Sequence, residues 1–384
     1  MISKRLLYVC EADHGGIAEY AISQVMALNA LGIEVRLLCR PSLDVSRLRA
    51  VQISALLPTG IERVRTLPGR CWAHLRDTLA MARIVEEETH RGAFGHVLFA
   101  CYKEYFAPLW TSRLRAMRNQ GIVFGTIAHD PIRDFVVGPQ FWHRASVRAG
   151  YSFVTHVYVH DNTSVDFGGP QPAGIQVHQI PHGPLPTAPQ VAGREVARNK
   201  YGLKADDIMF LAFGQIRDGK NLDRFLTVLQ SLPPAVKLLV AGPCESTSQQ
   251  RSPEDYRTLA ERLGVSGRCR WDIRYIPAEE VADIFAASDY VLLSYSAKFR
   301  SASGIMNLAV TARKPMLASS GPGPLRESVE KYSLGVFVPP DDDAELLSGA
   351  LRLLTANIAP EWTRYEHENS WEMNARLVAS TIFN

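Results

Sequence analysis

The sequence predicts an α/β protein in two domains, each a parallel sheet flanked by helices. Three observations carry this. Short apolar runs rich in β-formers alternate with amphipathic stretches, and unbroken apolar runs suit strands buried on both faces. The alternation is interrupted by a dense Pro/Gly cluster over residues 168–189, and then it restarts. At 384 residues the chain exceeds one ordinary core and suits two domains of average size.

Taken in order, residues 6–10 read as a strand, 17–31 as a helix and 34–39 as a second strand. A charged amphipathic helix over 76–91 follows, then strands over 96–101, 122–128 and 155–160. A short strand at 175–180 lies inside the Pro/Gly cluster. Beyond it, residues 208–213, 236–241, 269–273, 290–293 and 315–318 read as strands, with helices over 222–232, 256–263, 278–287, 305–311 and 344–354. Asp341, Asp342 and Asp343 stand where a helix cap and first-turn acids are wanted, a simpler reading than a metal site. A last amphipathic helix over 370–382 opens on a Ser cap. The expected domains are 1–183, a linker 184–200, and 201–365, with a C-terminal helix 366–384 packing back on the first domain. Ligands of such sheets bind at the carboxyl ends of the strands, so a cleft between the two halves is expected to hold the site.

The formal net charge of +3 is too small to argue for nucleic acid, and no aromatic-interleaved basic patch is present. Six scattered cysteines without a CxxC pair read as reduced, buried and cytosolic. The N-terminal apolar run is too short for a signal sequence, and no run reaches the ~18 residues of a spanning helix. A cytoplasmic protein is expected, with peripheral contact at the inner face of the membrane as a further option. Phe141, Trp142, Arg144 and Arg148 suit a solvated helix face or one that approaches a membrane.

Residues 209–223 are the most informative stretch. An apolar strand runs into Gly214, and Arg217 and Lys220 stand where a helix should begin. They could be solvated charges, but cations are disfavoured at a helix start unless an anion answers them, so a phosphate is expected: Arg217 as a fork, Lys220 as a point charge. Ser301, Ala302, Ser303 and Gly304, with Ile305 beginning the helix, suit a second anion-ready amide turn or a plain loop. In the first half, Gly15 and Gly16 follow the first strand and open a helix. They suit an anion or sugar approaching the backbone, or an ordinary tight turn. His129, at the end of a strand before Asp130, could meet a sugar hydroxyl or steady charge, or be a loop histidine capped by Asp130. The dinucleotide fingerprint, a serine elbow, a zinc-protease motif, a P-loop and the kinase set are all absent.

In this order and spacing the residues resemble the retaining glycosyltransferase family 4, the group 1 glycosyltransferases of GT-B fold, over nearly the whole chain. The parts are Gly15-Gly16, His129-Asp130, His182-Gly183, the segment from Gly214 through Arg217 and Lys220 to Asp223, residues 281–289, Gly304 and Ser370-Trp371-Glu372. The resemblance implies two Rossmann-like domains facing across a cleft, with the donor on the second and the acceptor on the first. It implies a nucleotide-diphosphate sugar as substrate, UDP- or GDP-linked, with no cofactor and no metal. Arg217 and Lys220 would neutralise the leaving diphosphate, helped by the amides at Ser303 and Gly304. Gly15 and Gly16 would border the donor, and His129 would contact the sugar. The departing phosphate can itself take the acceptor proton, so no side-chain base is needed. The family's two glutamates are not present: Ser301 holds the first position, and Ala309 or Leu308 the second.

The expected function is hexosyl transfer to a glycan or lipid-linked acceptor in surface polysaccharide assembly. A catalytically silent relative that binds a sugar nucleotide or partners an active transferase is the alternative. A nucleotide-sugar epimerase on the same fold would need cleft carboxylates that the sequence does not place.

Overall fold

In this computed structural model the chain divides into two units, Met1–Gly183 with Asn369–Asn384, and Pro184–Glu368. The structure describes residues 4–59, 67–132, 136, 138–160, 164–185, 193–244 and 250–384.

Unit 1 is built on β1 (Arg5–Cys10), α1 (Gly15–Ala30), β2 (Glu34–Cys39), β3 (Gln52–Ser54), α2 (Leu67–Arg91), β4 (His96–Phe99), α3 (Ala107–Trp110) and α4 (Ser112–Asn119). These are followed by β5 (Val123–Ile127), α5 (Gln140–Gly150), β6 (His156–Val159) and β7 (Gln176–Gln179). The strands pair in parallel in the order β3-β2-β1-β4-β5-β6-β7. The period of two in a strand explains why β1 is apolar throughout. Leu7 and Val9 enter the core on one face, while Leu6, Tyr8 and Cys10 enter the core on the other.

Unit 2 repeats the plan with α6 (Arg194–Lys200), β8 (Ile208–Phe213), α7 (Leu222–Leu229), β9 (Val236–Ala241), α8 (Pro253–Arg262), β10 (Cys269–Asp272) and α9 (Ala278–Ala287). Then come β11 (Tyr290–Ser294), α10 (Gly304–Thr311), β12 (Met316–Ser319), α11 (Pro324–Lys331), β13 (Gly335–Phe337), α12 (Asp343–Thr355) and α13 (Trp362–Glu368). Its parallel order is β10-β9-β8-β11-β12-β13. In each sheet the chain order reverses beside the first strand, at β1/β4 and β8/β11, which opens a crevice at the strands' carboxyl ends. The last helix, α14 (Trp371–Ile382), belongs to unit 1, where Ser370 caps it and Ala375, Val378 and Ile382 enter the core.

Several expectations need correction. Of the expected linker 184–200, residues 186–192 lie outside the described residues, and 194–200 form α6. Within it Arg198 is buried and bonds the carbonyls of Lys204, Asp207 and Ala287 and the carboxylate of Asp289. Not all the cysteines are buried: Cys71 is exposed on α2, and Cys101 and Cys244 are half-buried. As expected, Asp342 caps α12, accepting from the amides of Ala344 and Glu345, and Asp343 is a first-turn acid; only Asp341 departs from that reading. Asp343 pairs with Arg224, and Asp341 reaches back toward the β8 loop. Among the described residues no helix is long and apolar enough to cross a membrane.

Candidate functional site

In unit 2 the site forms around the turn that follows β8. Gly214 ends the strand in the left-handed region, at φ 82°, where a side chain is strained. A Cβ there would also lie 3.1 Å from Ile305 Cδ1 and 3.4 Å from Lys220 Nζ. The missing side chain therefore lets three expected residues, Gly214, Lys220 and Ile305, converge. Gly242 plays the supporting part: a Cβ on it would fall 2.3 Å from the carbonyl oxygen of Gly214.

Lys220 turns its ammonium inward and donates to the carbonyl of Phe213 at 2.7 Å. Burial, and then the Arg217 guanidinium, push its pKa down to about 7. Among the described residues neither cation has a carboxylate ion partner. Two like charges held together over an apolar floor that includes Leu222, Val240 and Leu292 favour an anion.

The turn itself is fixed from β11 and from Asp341. Ser294 Oγ donates to the carbonyl of Lys220, and the amide of Ser296 donates to the carbonyl of Gly219. Asn221, at φ 51°, donates to one oxygen of Asp341, whose other oxygen accepts from the amide of Ala297.

The second expected turn sits at the start of α10. Ser303 is buried, and its hydroxyl accepts from the amide of Met306 and pairs with Tyr295 at 3.1 Å. Asn307 bonds back to the Ser303 carbonyl and accepts from the Tyr365 hydroxyl at 2.7 Å. Gly304 and Ile305 are half-buried first-turn residues, whose amides have no acceptor within the helix. Ser301 is half-buried on the same loop. Ala309 lies wholly inside the core and Leu308 is half-buried, so neither position offers an exposed polar contact. Tyr295, Asn307 and Tyr365 were not foreseen. An asparagine inside an apolar helix was the available signal for at least one of them.

Unit 1 carries a cavity of about 450 Å³ at the carboxyl ends of β1, β4 and β5. Gly15 and Gly16 form the exposed turn that opens α1 behind it, with Gly15 at φ 78° and open space beside both Cα atoms. His129 lines the cavity, with Tyr20 edge-on to its ring at 4.7 Å. Its Nε2 is buried with no hydrogen-bond partner, so in the neutral ring this nitrogen is open to a ligand hydroxyl. Desolvation, followed by the nearby His182, holds its pKa down at about 3. At neutral pH the ring can accept a hydroxyl, but it cannot steady charge as an imidazolium. His160 and His182 pack around the same tyrosine. Glu11, Arg40 and Lys103, also unforeseen, line both this cavity and a small recess behind it. Among the described residues no group of three or more His, Cys, Asp or Glu could hold a metal ion.

Residues 193–378 match the family model of the group 1 glycosyl transferases. The lipopolysaccharide glucosyltransferase WaaG of Escherichia coli K12 is 28% identical over 193 residues, 49% of this chain and 46% of WaaG. The D-inositol 3-phosphate glycosyltransferase of Mycobacteroides abscessus is 28% identical over 150 residues, 38% of this chain and 32% of that protein. The chain thus spans half or less of these relatives' length. The crystal structure of Anabaena HepE in complex with UDP and glucose superposes with a TM-score of 0.71 at 14% identity, covering 99% of both chains. The fold is GT-B, two Rossmann-like units with parallel sheets.

Proposed function

We propose that this chain transfers a hexosyl group from a nucleoside-diphosphate sugar, UDP- or GDP-linked, to a hydroxyl of a glycan or lipid-linked acceptor, with retention. The observation that carries this reading is the Arg217–Lys220 pair, two cations without a carboxylate ion partner among the described residues, set at the end of β8 beside the first turn of α10. As the C1–O bond to the diphosphate breaks, these cations and the amides near Ser303, Gly304 and Ile305 neutralise the charge that develops. The acceptor oxygen bonds C1, and its proton passes to the departing phosphate. The cations supply the charge that a metal supplies in other transferases, and no cofactor enters the reaction.

Gly15, Gly16 and His129 are assigned to sugar contacts from unit 1, His129 through its bare Nε2 as an acceptor. The likeness to WaaG, by its name a lipopolysaccharide glucosyltransferase, supports a role in surface polysaccharide assembly, which this reading places at the inner face of a membrane. Peripheral contact fits α5, whose Phe141, Arg144 and Arg148 are exposed, while Trp142 is half-buried and its ring lies 6.4 Å from that of Phe106.

One observation favours a silent relative that binds the donor without turnover: Ser301 and, at the second position, Ala309 or Leu308 offer no carboxylate where the resembled family has two. A thermal-shift series with nucleoside diphosphates and their sugars tests the donor site. Stabilisation by one nucleotide, lost in Arg217→Ala and Lys220→Ala, is expected; no response, or mutants that respond like wild type, would refute the site. Donor hydrolysis and transfer to extracted lipid-linked glycans then separate enzyme from binder.

A further inference from the structure

Three charged residues of unit 1 stand beyond the carboxyl ends of three adjacent strands. Arg40 follows β2, Glu11 follows β1, and Lys103 lies on the loop after β4. These strands are neighbours in the order β2-β1-β4, about 4.8 Å apart, so the strand of Glu11 runs between those of the two cations. All three residues line both the cavity and the small recess behind it. Burial raises the Glu11 pKa, and Lys103 and Arg40 oppose that rise, as cations near the carboxylate do.

The row is nevertheless not closed on itself. Nε of Arg40 is a buried donor with no acceptor, and Oε1 of Glu11 is a buried acceptor with no donor. Glu11 is only 9% exposed. Among the described residues no hydrogen bond or ion pair ties Arg40 or Lys103 to Glu11 or to another group. The other acids nearby are engaged elsewhere. Asp13 accepts from Ser42 and meets His14, Asp77 meets Arg76, and Glu104 and Asp130 have partners of their own. A ligand that completes the row therefore brings an acceptor for Arg40 and a donor for Glu11. A sugar hydroxyl satisfies Arg40 Nε but carries no charge to set against two cations. An oxyanion does both, and it matches the side edge of a guanidinium with two parallel bonds. The recess, at about 10 Å³, is too small for a sugar, so the ligand reaches these atoms from the cavity of about 450 Å³.

Resting on the transferase reading above, we infer that Arg40 and Lys103 grip an oxyanion carried by the acceptor sugar, a phosphate monoester or a carboxylate, while Glu11 accepts a neighbouring hydroxyl. That reading assigns the donor diphosphate to Arg217 and Lys220 of unit 2. A second oxyanion site, on unit 1, then falls to the other substrate.

The test is saturation-transfer NMR on the full chain with UDP in excess, which fills the phosphate turn of unit 2. Methyl glucoside, glucose 6-phosphate and glucuronate share a ring and differ in charge. At least one of the two anions is expected to bind about tenfold more tightly than the glucoside, and the tighter identifies the group the acceptor carries. Arg40→Gln and Lys103→Gln are each expected to weaken that anion about five- to tenfold and to leave the glucoside unchanged. Arg217→Ala without nucleotide is expected to keep the preference, which separates this site from unit 2. An unchanged melting temperature shows that each variant is folded; if Arg40→Gln unfolds, Lys103→Gln decides. Equal binding of all three sugars, no binding of either anion, a preference lost in Arg217→Ala, or folded variants at Arg40 and Lys103 with wild-type affinity would overturn the inference. No response to any nucleotide, with the anion pattern intact, would sink the transferase reading and leave the anion site standing.

Discussion

Lys220 and Phe213 lie at opposite ends of one turn, and the ammonium of the first donates to the carbonyl of the second at 2.7 Å. This bond holds the lysine in position while leaving its charge unanswered. With Arg217 beside it and burial around it, the ammonium has a pKa of about 7 rather than the ordinary 10.5. The unfolded chain therefore binds the extra proton between those values, so stability gains a contribution as pH rises above 7. Binding a diphosphate reverses the preference and restores the charge. Nucleotide binding at pH 8 is expected to take up close to one proton, seen as a dependence of the calorimetric enthalpy on buffer ionisation. Affinity should fall from pH 7 to pH 9, and Lys220→Met should abolish both effects. Proton release on binding would contradict the assignment.

Gly242 and Gly214 make a close backbone approach at the site. An alanine at 242 would place its Cβ 2.3 Å from the Gly214 carbonyl oxygen at a φ of 143°. We expect Gly242→Ala to cost roughly 2–4 kcal/mol of stability, because backbone must yield. Gly214→Ala meets side-chain ends instead, and should cost about 1–2 kcal/mol while removing most nucleotide binding. Denaturant melts with and without UDP separate the two. Equal stability losses would show that the close approach is not limiting.

Asp341 offers a test in which charge and geometry predict opposite signs. Removing an acid near a phosphate site should tighten anion binding if charge dominates. The two oxygens of Asp341, however, hold Asn221 in its left-handed conformation and anchor Ala297. Asp341→Ala is therefore expected to weaken UDP binding about five- to tenfold, by loosening the turn that presents Lys220. Titration calorimetry decides, and a gain in affinity would refute the clamp.

What the sequence made legible follows from range. Alternation of apolar runs was enough to place β1, β2, β8, β9 and α9, because buried strands and amphipathic helices write their period locally. The unanswered cations Arg217 and Lys220 were legible for the same reason: a helix start and its mismatch of charge lie within a few residues. Short elements such as β3 and β13 were not, since three residues carry no period. The Asp341 clamp spans 120 residues and depends on a fold that brings α12 to the β8 turn. Glu11 was passed over because one acid after a strand looks solvated until Arg40 and Lys103 are seen beside it.

The histidines around Tyr20 should make unit 1 sensitive to acid. His129 is held at about 3, His160 well below 6.5 and His182 at about 4, each first by desolvation. All three gain protons on unfolding below pH 6.5, so their contribution is full above that value and is lost as pH falls toward 4. The melting temperature is expected to drop steeply between pH 6.5 and 4.5, and His160→Gln should flatten the slope. A parallel decline in wild type and variant would show that other groups set the acid limit.

Asn374 ties α14 to unit 1 through a buried polar network. Its Oδ1 accepts from Gln24 at 2.6 Å, and its Nδ2 donates to the Tyr20 hydroxyl at 2.9 Å and the Pro181 carbonyl at 2.7 Å. Gln24 in turn accepts from the Tyr8 hydroxyl, so the network joins β1, α1, α14 and the end of the first domain. Removing the amide strands several buried groups at once, which costs more than the bonds are worth in the intact protein. Asn374→Ala is expected to destabilise by about 2–4 kcal/mol. The double variant with Gln24→Ala should lose less than the sum, because each change deletes a partner that the other would leave orphaned. Urea melts of the four proteins measure the coupling. Strict additivity would mean that α14 is held by its apolar face, through Ala375, Val378 and Ile382, and not by this network.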